Sequence, residues 1–529
     1  MRRTIRQEGL VDQGLLSSLR ISLIGDQGGL RDSFIVMGEQ LGASVLLESD
    51  GSPNFTVYLG DEIVPEFDSN YIRVILLDDG VQLTRDKKAS PGSPSKLQAG
   101  GLATIGAALA WQEILRMCGA ILPIEIPKRY ITVNLRVDPA SLGGVGEIEH
   151  DMVLETGDGS ELPFSVLNRD DGTGHSLIRA RLEQGHELAD GLLNSLSFHR
   201  RGSTENAIPS SEIKFRLPRA EGSLSGNGII AGVGGLGSWA LDTLIKSFRD
   251  SSNSGEHTKL SIIDPDLSIE IHNLNRQVLY QEEDLGLAKA EIAKRRLEDS
   301  IDGIRVTSYN EEIGTGSLQT LHHDGIKTED PSEDFPWADD LDLLSDGNLL
   351  DQDFPGICRD IDFILCGVDN LRARAILCGI SSEIGIPMIN AGAQGFHGQF
   401  DLFTEGGSCM LCRYGLGVLS QSGPMSCQED GEVPFGSIVT STALFGAIEG
   451  LAMISVLAGG PSSLEKWPSQ VSWSGRRNTF SMEYAHDFGM FSMIFDSPDN
   501  HSKHIRELVL GECQEECEEV GVTSDMESS

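Results

Sequence analysis

The feature that most constrains the fold is a repeated unit: an apolar strand, a Gly-Gly-Leu turn and then a helical segment. One copy occupies residues 21–34 and the other residues 229–240. Aligning the two turns places Asp26 opposite Gly232 and Arg31 opposite Gly237. Glycines at a helix N-terminus let backbone N–H groups approach phosphate. The second copy therefore predicts a nucleotide site, and the acidic side chain in the first copy predicts an inactive counterpart.

The remaining pattern predicts an α/β chain built from two such units. At 529 residues the chain is long enough for roughly three domains. Strand-like runs and a helical stretch follow the first copy, which is typical of a doubly wound unit. The predicted regions are an inactive half (1–129), a β-rich insertion (130–200), a linker (201–225), an active half (226–458) with an acidic insertion (318–355) and a cysteine loop (409–434), and a C-terminal segment (459–529).

The charge balance excludes some classes of function. The chain has 41 Lys and Arg against 80 Asp and Glu, a formal charge of −39, which argues against nonspecific nucleic-acid binding. By sequence, no apolar run approaches the ~20 residues of a membrane span. Residues 1–10 are basic but lack a signal-peptide core. Four of the nine cysteines form two close pairs, which suits reduced thiols and a metal, and we expect a cytoplasmic protein.

The glycine motif alone does not identify the nucleotide. Residues 232–237 read Gly-Val-Gly-Gly-Leu-Gly, and the next strand ends at Asp264, within reach of a ribose hydroxyl. A dinucleotide site of the NAD type has the same features. A helix packed closely on its strand through glycines is a second alternative.

The residues that follow favour a triphosphate. Arg276, and Lys289 at the start of a helix, are cationic groups suited to phosphates and their transition state. A later strand ends at Asp369 and Asn370, where a carboxylate is well placed to hold Mg²⁺. Each residue also has a plainer interpretation: a turn aspartate at 264, an ion pair between Arg276 and Asp266, and a surface charge at Lys289.

Taken in order, these motifs resemble the ThiF/MoeB/HesA superfamily, which includes activating enzymes of ubiquitin-like proteins, over residues 228–450. The resemblance implies two Rossmann-like ThiF-type adenylation modules that form an intramolecular pseudo-dimer, or else a homo-oligomer. It also implies ATP and Mg²⁺ as cofactors, a ubiquitin-like protein with a C-terminal glycine as substrate, and a conjugating enzyme as partner. Arg6, in Arg-Thr-Ile-Arg-Gln, would reach across to the γ-phosphate. The implied nucleotide-binding residues are Gly232, Gly234, Gly235, Gly237, Asp264, Asp266, Asn273, Gln277, Asp369 and Asn370.

Two cysteine pairs predict a structural zinc site. Cys409 and Cys412 form a C-x-x-C pair, and Cys513 and Cys517 supply two more thiolates, which together would complete a tetrahedral Zn²⁺ site. The resemblance implies the same site, since many family members hold their C-terminal segment through such a zinc ion. This chain differs in having three residues between the second pair, and a pair of free thiols in an acidic tail is the alternative.

Cys427 is the candidate nucleophile. It precedes a helical stretch that we expect at residues 435–448, whose N-terminus would lower the pKa of a thiol. Several superfamily members hold the activated carboxylate as a thioester on a cysteine at this place, which implies the same for Cys427. An inert loop cysteine is the alternative.

Three other functions remain open at this point. The first is a sulfur-carrier adenylyltransferase of the thiamin or molybdopterin type, which forms no thioester. The second is a catalytically inactive scaffold, and the third is an NAD-dependent dehydrogenase. The compact halves also resemble single-chain bacterial versions linked to antiviral defence.

Overall fold

The computed structural model describes residues 7, 9–46, 53, 55–65, 71–88, 90–121, 213–313, 356–358, 360–369, 371–404, 410, 436–476 and 478–484. It also describes the backbone of six strands between residues 131 and 200. The chain is mixed α/β, with two large sheets that are rich in parallel strands. The predicted α/β class is therefore confirmed.

The first sheet has six strands in the order β12-β5-β4-β3-β1-β2. Strands β1 to β4 are parallel, while β5 and β12 run antiparallel at one edge. Parallel strands covered on both faces read as continuous apolar runs, which explains the fully buried β3 and β4. The strands are Arg20–Ile24 (β1), Ser44–Leu46 (β2), Phe55–Leu59 (β3), Tyr71–Leu76 (β4), Gly80–Thr84 (β5) and Ile213–Arg216 (β12).

Strand β12 departs from the predicted linker. Residues 201–225 are mostly polar and turn-forming, which predicted a linker. However, residues 213–216 pair with β5, and Phe215 is fully buried in the core. An alternating four-residue strand is too short for its pattern to stand out in a polar segment. Between β5 and β12 along the chain, the predicted β-rich region contains Ile131–Val137 (β6), Met152–Glu155 (β7), Glu161–Leu162 (β8), Phe164–Val166 (β9), Ser176–Leu182 (β10) and Ser197–Arg200 (β11).

The second sheet has eight strands in the order β15-β14-β13-β16-β17-β18-β19-β20. The five strands from β15 to β17 are parallel, and the last three are antiparallel. The chain leaves β13 toward β14 and later returns to the other side as β16, so the crevice for a ligand lies beyond the ends of β13 and β16. The strands are Gly226–Ala231 (β13), Thr258–Ile263 (β14), Arg305–Tyr309 (β15), Phe363–Cys366 (β16), Met388–Gln394 (β17), His397–Phe403 (β18), Gln470–Ser474 (β19) and Thr479–Glu483 (β20).

Helices join the two sheets into one hydrophobic core. Helix α3 of the first unit packs against α2 and also against α4 and α7 of the second unit. Polar contacts cross the same interface: the Lys246 amine donates to the hydroxyls of Ser33 and Thr104 at 3.3 and 3.1 Å. The helices are Gln13–Ser18 (α1), Leu30–Leu41 (α2), Ala99–Met117 (α3), Gly235–Ser251 (α4), Lys289–Ser300 (α5), Leu371–Ile384 (α6) and Val439–Gly459 (α7).

Helix α7 corrects the sequence-based statement about apolar runs. With 21 residues and a mean hydropathy of 1.7, it is long and apolar enough to cross a membrane. However, 89% of its apolar window is buried inside the protein, against α3, α4 and the second sheet. A central core helix is apolar on all sides for the same reason as a membrane span, because no face meets water. Its position in the core accounts for its composition.

One carboxyl group interrupts this apolar helix. Glu449 is fully buried, and in the described part of the chain neither carboxyl oxygen has a hydrogen bond of normal geometry. Burial raises its pKa well above the usual value, although the Arg374 guanidinium and the Ala391 N–H nearby favour the charged form. The charged form is therefore penalised in the folded protein.

We expect Glu449→Gln to stabilise the protein more at pH 8 than at pH 5. The folded state binds the Glu449 proton more tightly than the unfolded chain does, so this group costs stability as the pH rises above about 4.5. Glutamine carries no such cost, and the gain should reach about 1 kcal/mol or more at pH 8. Thermal melting of both proteins across this range measures the difference, and a difference that shrinks with rising pH would contradict the expectation.

Candidate functional site

The glycine loop between β13 and α4 is shaped so that only glycine fits at two positions. Gly232 has φ +83°, and a Cβ there would lie 2.8 Å from the backbone of Gly367. A Cβ on Gly237 would lie 2.1 Å from the carbonyl oxygen of Gly232. Among the residues that the structure describes, no side-chain hydrogen bond caps α4 at its N-cap, Gly234. The loop thus presents backbone N–H groups at a positive helix end, which is the arrangement that binds phosphate.

Two buried side chains hold the peptide unit of Val233 in this loop. The Asp264 carboxylate accepts a hydrogen bond from the Val233 N–H at 2.7 Å, and it also accepts one from the Asp266 N–H at 3.0 Å. The Tyr280 hydroxyl donates to the Val233 carbonyl at 2.7 Å. Burial raises the pKa of Asp264, and burial beside Asp264 raises the pKa of Tyr280 well above its ordinary value. Tyr280 therefore stays protonated and keeps donating.

Removing the Tyr280 hydroxyl should loosen the loop without changing the site's charge. We expect Tyr280→Phe to weaken ATP binding about tenfold, because a lost hydrogen bond of about 1.5 kcal/mol would leave the Val233 carbonyl buried and unpaired. Equilibrium binding of ATP measures the effect. A matched control is Tyr71→Phe in the first unit, whose hydroxyl donates to the Arg85 carbonyl at 2.5 Å and should leave ATP binding unchanged.

The cationic residues lie around the same loop. Lys289 is 6% exposed and its amine forms an ion pair with Asp266, so the alternative of a free surface charge is wrong. Arg276 donates to the His272 carbonyl at 2.8 Å and to the Asn275 side chain at 3.1 Å. The ion pair with Asp266 is therefore made by Lys289.

The segment that carries Arg276 packs directly against the glycine loop and the start of α4. The Trp239 indole donates to the Arg276 carbonyl at 2.9 Å, and a Cβ on Gly235 would lie 3.9 Å from Arg276 Cδ. Gln277 is buried, and its amide nitrogen lies 3.8 Å from a Cβ built on Gly234. The Gln277 amide oxygen and the Asn275 amide nitrogen have no hydrogen-bond partner among the described residues. These unused polar atoms beside an open glycine loop fit a polar ligand such as a nucleotide.

Two further predicted residues have defined positions. Asn273 accepts a hydrogen bond from the Glu270 N–H at 2.7 Å, so in the structure it shapes the turn before Arg276. Asp369 is exposed and follows β16, at the crevice edge where Gly367 packs against Gly232. An exposed carboxylate beside a phosphate-binding loop fits Mg²⁺, which proteins bind through one or two carboxylates plus substrate phosphates.

In the first unit, side chains use the backbone groups of the corresponding loop. Asp26 accepts hydrogen bonds from the N–H groups of Gln27 and Arg31, at 2.7 and 3.1 Å, where a phosphate would lie. Gln27 bridges Leu76 and Gly92 across the strand ends. The prediction of an inactive first half rested on Asp26, whereas the bridge made by Gln27 depends on contacts that no local pattern reveals.

Several predicted residues lie outside the described part of the chain. They are Arg6, Asn370, Cys409, Cys412, Cys427, Cys513 and Cys517. Among the residues that the structure describes, no group of three or more His, Cys, Asp or Glu side chains is placed to hold a metal. The zinc site and the thioester cysteine thus remain predictions.

Comparison with known proteins identifies the second half. A model of the ThiF family matches residues 224–487. SUMO-activating enzyme subunit 2 of Dictyostelium discoideum is 26% identical over 224 residues, which are 42% of this chain and 27% of that protein. The NEDD8-activating enzyme E1 catalytic subunit of Caenorhabditis elegans is 29% identical over 204 residues, 35% of this chain and 36% of that protein.

A curated adenylyltransferase and a solved structure are also similar. The probable molybdopterin-synthase adenylyltransferase of Porphyra purpurea is 25% identical over 270 residues, 51% of this chain and 57% of that protein. The crystal structure of E. coli MccB with ATP has 18% identity and a TM-score of 0.32, covering 49% of this chain and 63% of that one. The chain spans between 27% and 57% of the length of these curated relatives. The family match and these relatives together assign the second half of the chain, residues 224–487, to the ThiF superfamily.

Proposed function

We propose that this protein uses ATP to adenylate the C-terminal carboxylate of a ubiquitin-like protein. The observation that carries the proposal is the contrast between the two glycine loops. In the first loop the Asp26 carboxylate accepts hydrogen bonds from the N–H groups of Gln27 and Arg31. The second loop instead lies beside Arg276 and the amide oxygen of Gln277, which is unpaired in the described part of the chain. Relatives of the second half are named as activating enzymes and adenylyltransferases. A chain with one such nucleotide site suits a single adenylation reaction.

Each group of residues in the site has its own role in the proposed reaction. The glycine loop binds the phosphates through N–H groups, and Asp264 holds both this loop and the ribose. The carrier carboxylate attacks the α-phosphorus, pyrophosphate leaves, and the cations Arg276 and Lys289 stabilise the charge that develops. Mg²⁺, held at Asp369 with Asn370, would neutralise the phosphates when bound.

We further propose that the two units act as an intramolecular pseudo-dimer in which Arg6 completes the ATP site. Leu10, four residues after Arg6, lies against the second unit: a Cβ on Gly436 would be 3.0 Å from the Leu10 side chain, and one on Gly395 would be 3.5 Å away. The N-terminal segment therefore already crosses to the end of β17 and the start of α7. This contact supports the proposal that Arg6 extends into the ATP site of the second unit.

The steps after adenylation are proposed from the resemblance. Cys427 would displace AMP and hold the carrier as a thioester, which a conjugating enzyme then accepts. Cys409, Cys412, Cys513 and Cys517 would hold a structural Zn²⁺. We place the reaction in the cytoplasm.

A sulfur-carrier adenylyltransferase is the second candidate, because the relative from Porphyra purpurea is named for molybdopterin synthase. Such an enzyme makes the same acyl-adenylate but no thioester. The two candidates share the nucleotide site and differ only at Cys427.

One experiment separates these functions. The full chain is incubated with labelled pyrophosphate, ATP, Mg²⁺ and candidate ubiquitin-like proteins, and carrier-dependent exchange into ATP is measured. Exchange followed by a thiol-sensitive adduct that Cys427→Ala abolishes supports the activating enzyme. Exchange without an adduct supports a sulfur-carrier adenylyltransferase. Absence of exchange, whether or not ATP binds, supports an inactive scaffold. Binding of a nicotinamide cofactor without binding of ATP supports a dehydrogenase.

A further inference from the structure

Arg374, which the nucleotide motifs do not include, makes a set of contacts directly behind the proposed metal carboxylate. It lies on α6, and its guanidinium donates to the Val368 carbonyl at 2.5 Å and to the Ala391 carbonyl at 2.6 Å. It also donates to the Asn390 side-chain oxygen at 2.5 Å. The guanidinium therefore ties the segment after β16 to the neighbouring strand β17.

The carbonyl of Val368 has particular importance for Asp369. It belongs to the peptide bond that leads into Asp369, and a peptide unit is planar, so holding this oxygen sets the direction in which residue 369 leaves the strand. On the other side, Gly367 donates to the Ala231 carbonyl at 2.8 Å and packs against Gly232. The segment that presents Asp369 is thus held between the glycine loop and Arg374.

The acceptors of Arg374 are themselves fixed. Asn390 pairs with Asp401 in the sheet register, and its amide nitrogen lies 3.4 Å from the Asp401 carboxylate. That buried carboxylate also accepts hydrogen bonds from Gln399 and Gln470 at 3.0 Å. A polar row across β17, β18 and β19 therefore keeps the Asn390 oxygen facing Arg374.

We propose that Arg374 is a positioning residue that orients the Asp369 carboxylate toward Mg²⁺ by holding the Val368 carbonyl. This inference rests on the proposed metal role of Asp369. Groups that orient a metal ligand typically change metal affinity about 10–100-fold when they are lost. A guanidinium is suited to this task because its planar fork reaches three oxygens at once.

The first unit offers a matched control. Arg73 is 1% exposed and donates to the carbonyls of Gly60, Glu62 and Lys87, at 2.8, 2.6 and 3.0 Å. It thus ties together strand-end loops in the unit that is not proposed to bind ATP. Removing it tests what a buried arginine contributes to stability alone.

The test measures equilibrium binding of ATP to the full chain as Mg²⁺ is titrated, and separately in EDTA, for Arg374→Met, Arg374→Lys and Arg73→Met. We expect Arg374→Met to need about tenfold more Mg²⁺ for half-maximal enhancement of binding, with ATP affinity in EDTA unchanged. Arg374→Lys should lie between this variant and the wild type, because an ammonium reaches fewer of the oxygens. Arg73→Met should lower the melting temperature and leave the Mg²⁺ curve unchanged.

Four outcomes would overturn the proposal. The first is an Mg²⁺ titration curve of Arg374→Met that equals that of the wild type, and the second is an equal shift of this curve in Arg73→Met. The third is weaker ATP binding by Arg374→Met in EDTA, and the fourth is ATP binding by the wild type that does not depend on Mg²⁺. If Arg374→Met does not fold, the Mg²⁺ curve of Arg374→Lys decides. A wild type that binds MgATP but shows no pyrophosphate exchange with any carrier contradicts the proposed function and leaves the positioning role standing, since binding is its readout.

Discussion

Replacing Asp369 with alanine should reduce carrier-dependent ATP–pyrophosphate exchange by about 10²–10³-fold, the size of effect expected when a group that stabilises transition-state charge is removed. The carboxylate is exposed beyond β16 and beside the glycine loop, so it can reach a phosphate-bound metal. Because the side chain is exposed, the substitution should change the free energy of unfolding by less than about 0.5 kcal/mol. Exchange assays and thermal melting of the same preparations measure both quantities.

The control lies at the opposite end of the same strand. Asp360 is also exposed and precedes β16, at the edge of the sheet away from the glycine loop. Asp360→Ala removes the same charge and should leave exchange unchanged. Exchange that survives Asp369→Ala, or that falls equally with Asp360→Ala, would contradict the metal role of Asp369.

Replacing Gly232 with alanine should lower ATP affinity by about 10²-fold, because the loop must move away from its phosphate-binding geometry. At φ +83° an L-residue costs about 1–2 kcal/mol, and the new Cβ would lie 2.8 Å from the backbone of Gly367. Neither backbone segment can turn aside as a flexible side chain can. Equilibrium ATP binding measures the loss, and melting temperature reports the accompanying strain.

Asp26 of the first unit aligns with Gly232, so Asp26→Gly is the matching variant in that unit. Asp26→Gly removes the carboxylate that caps the start of α2, so it should cost about 0.5–2 kcal/mol of stability. ATP binding should not change, because the proposed ATP site lies in the other unit. Loss of ATP binding in Asp26→Gly with normal binding in Gly232→Ala would reverse the assignment of the two crevices.

Local sequence patterns were sufficient for much of the fold. The strand-like runs predicted after the first copy are the strands β2, β3 and β4. Of these, β3 and β4 are recognisable because buried parallel strands are continuously apolar. The helix expected at 435–448 exists but begins at Val439 and continues to Gly459. Its length was underestimated because the helical pattern lacks the polar face that normally marks a helix.

Residues that act through tertiary contacts had no sequence signal. Tyr280 reads as an ordinary aromatic after the Arg-Gln step, and only its contact with the Val233 carbonyl shows that it supports the loop. Arg374 reads as a helix charge, and β12 as part of a linker, until the sheet brings their partners together. The partners of Tyr280 and β12 lie far away along the chain, and Arg374, although it also contacts the nearby Val368, reaches Ala391 on the neighbouring strand β17.

By itself the sequence determined that this chain has two related α/β units, that one keeps the glycines of a phosphate-binding loop, and which charged residues accompany that loop. These properties are local, since strand and helix periodicity and the conformational freedom of glycine depend on adjacent residues. Only the tertiary structure decided that Lys289 pairs with Asp266, that Gln27 bridges Leu76 and Gly92 in the first unit, and that Arg374 holds the Val368 carbonyl before Asp369. Those arrangements depend on the order of strands in each sheet, which brings distant segments to one edge and which no local pattern encodes.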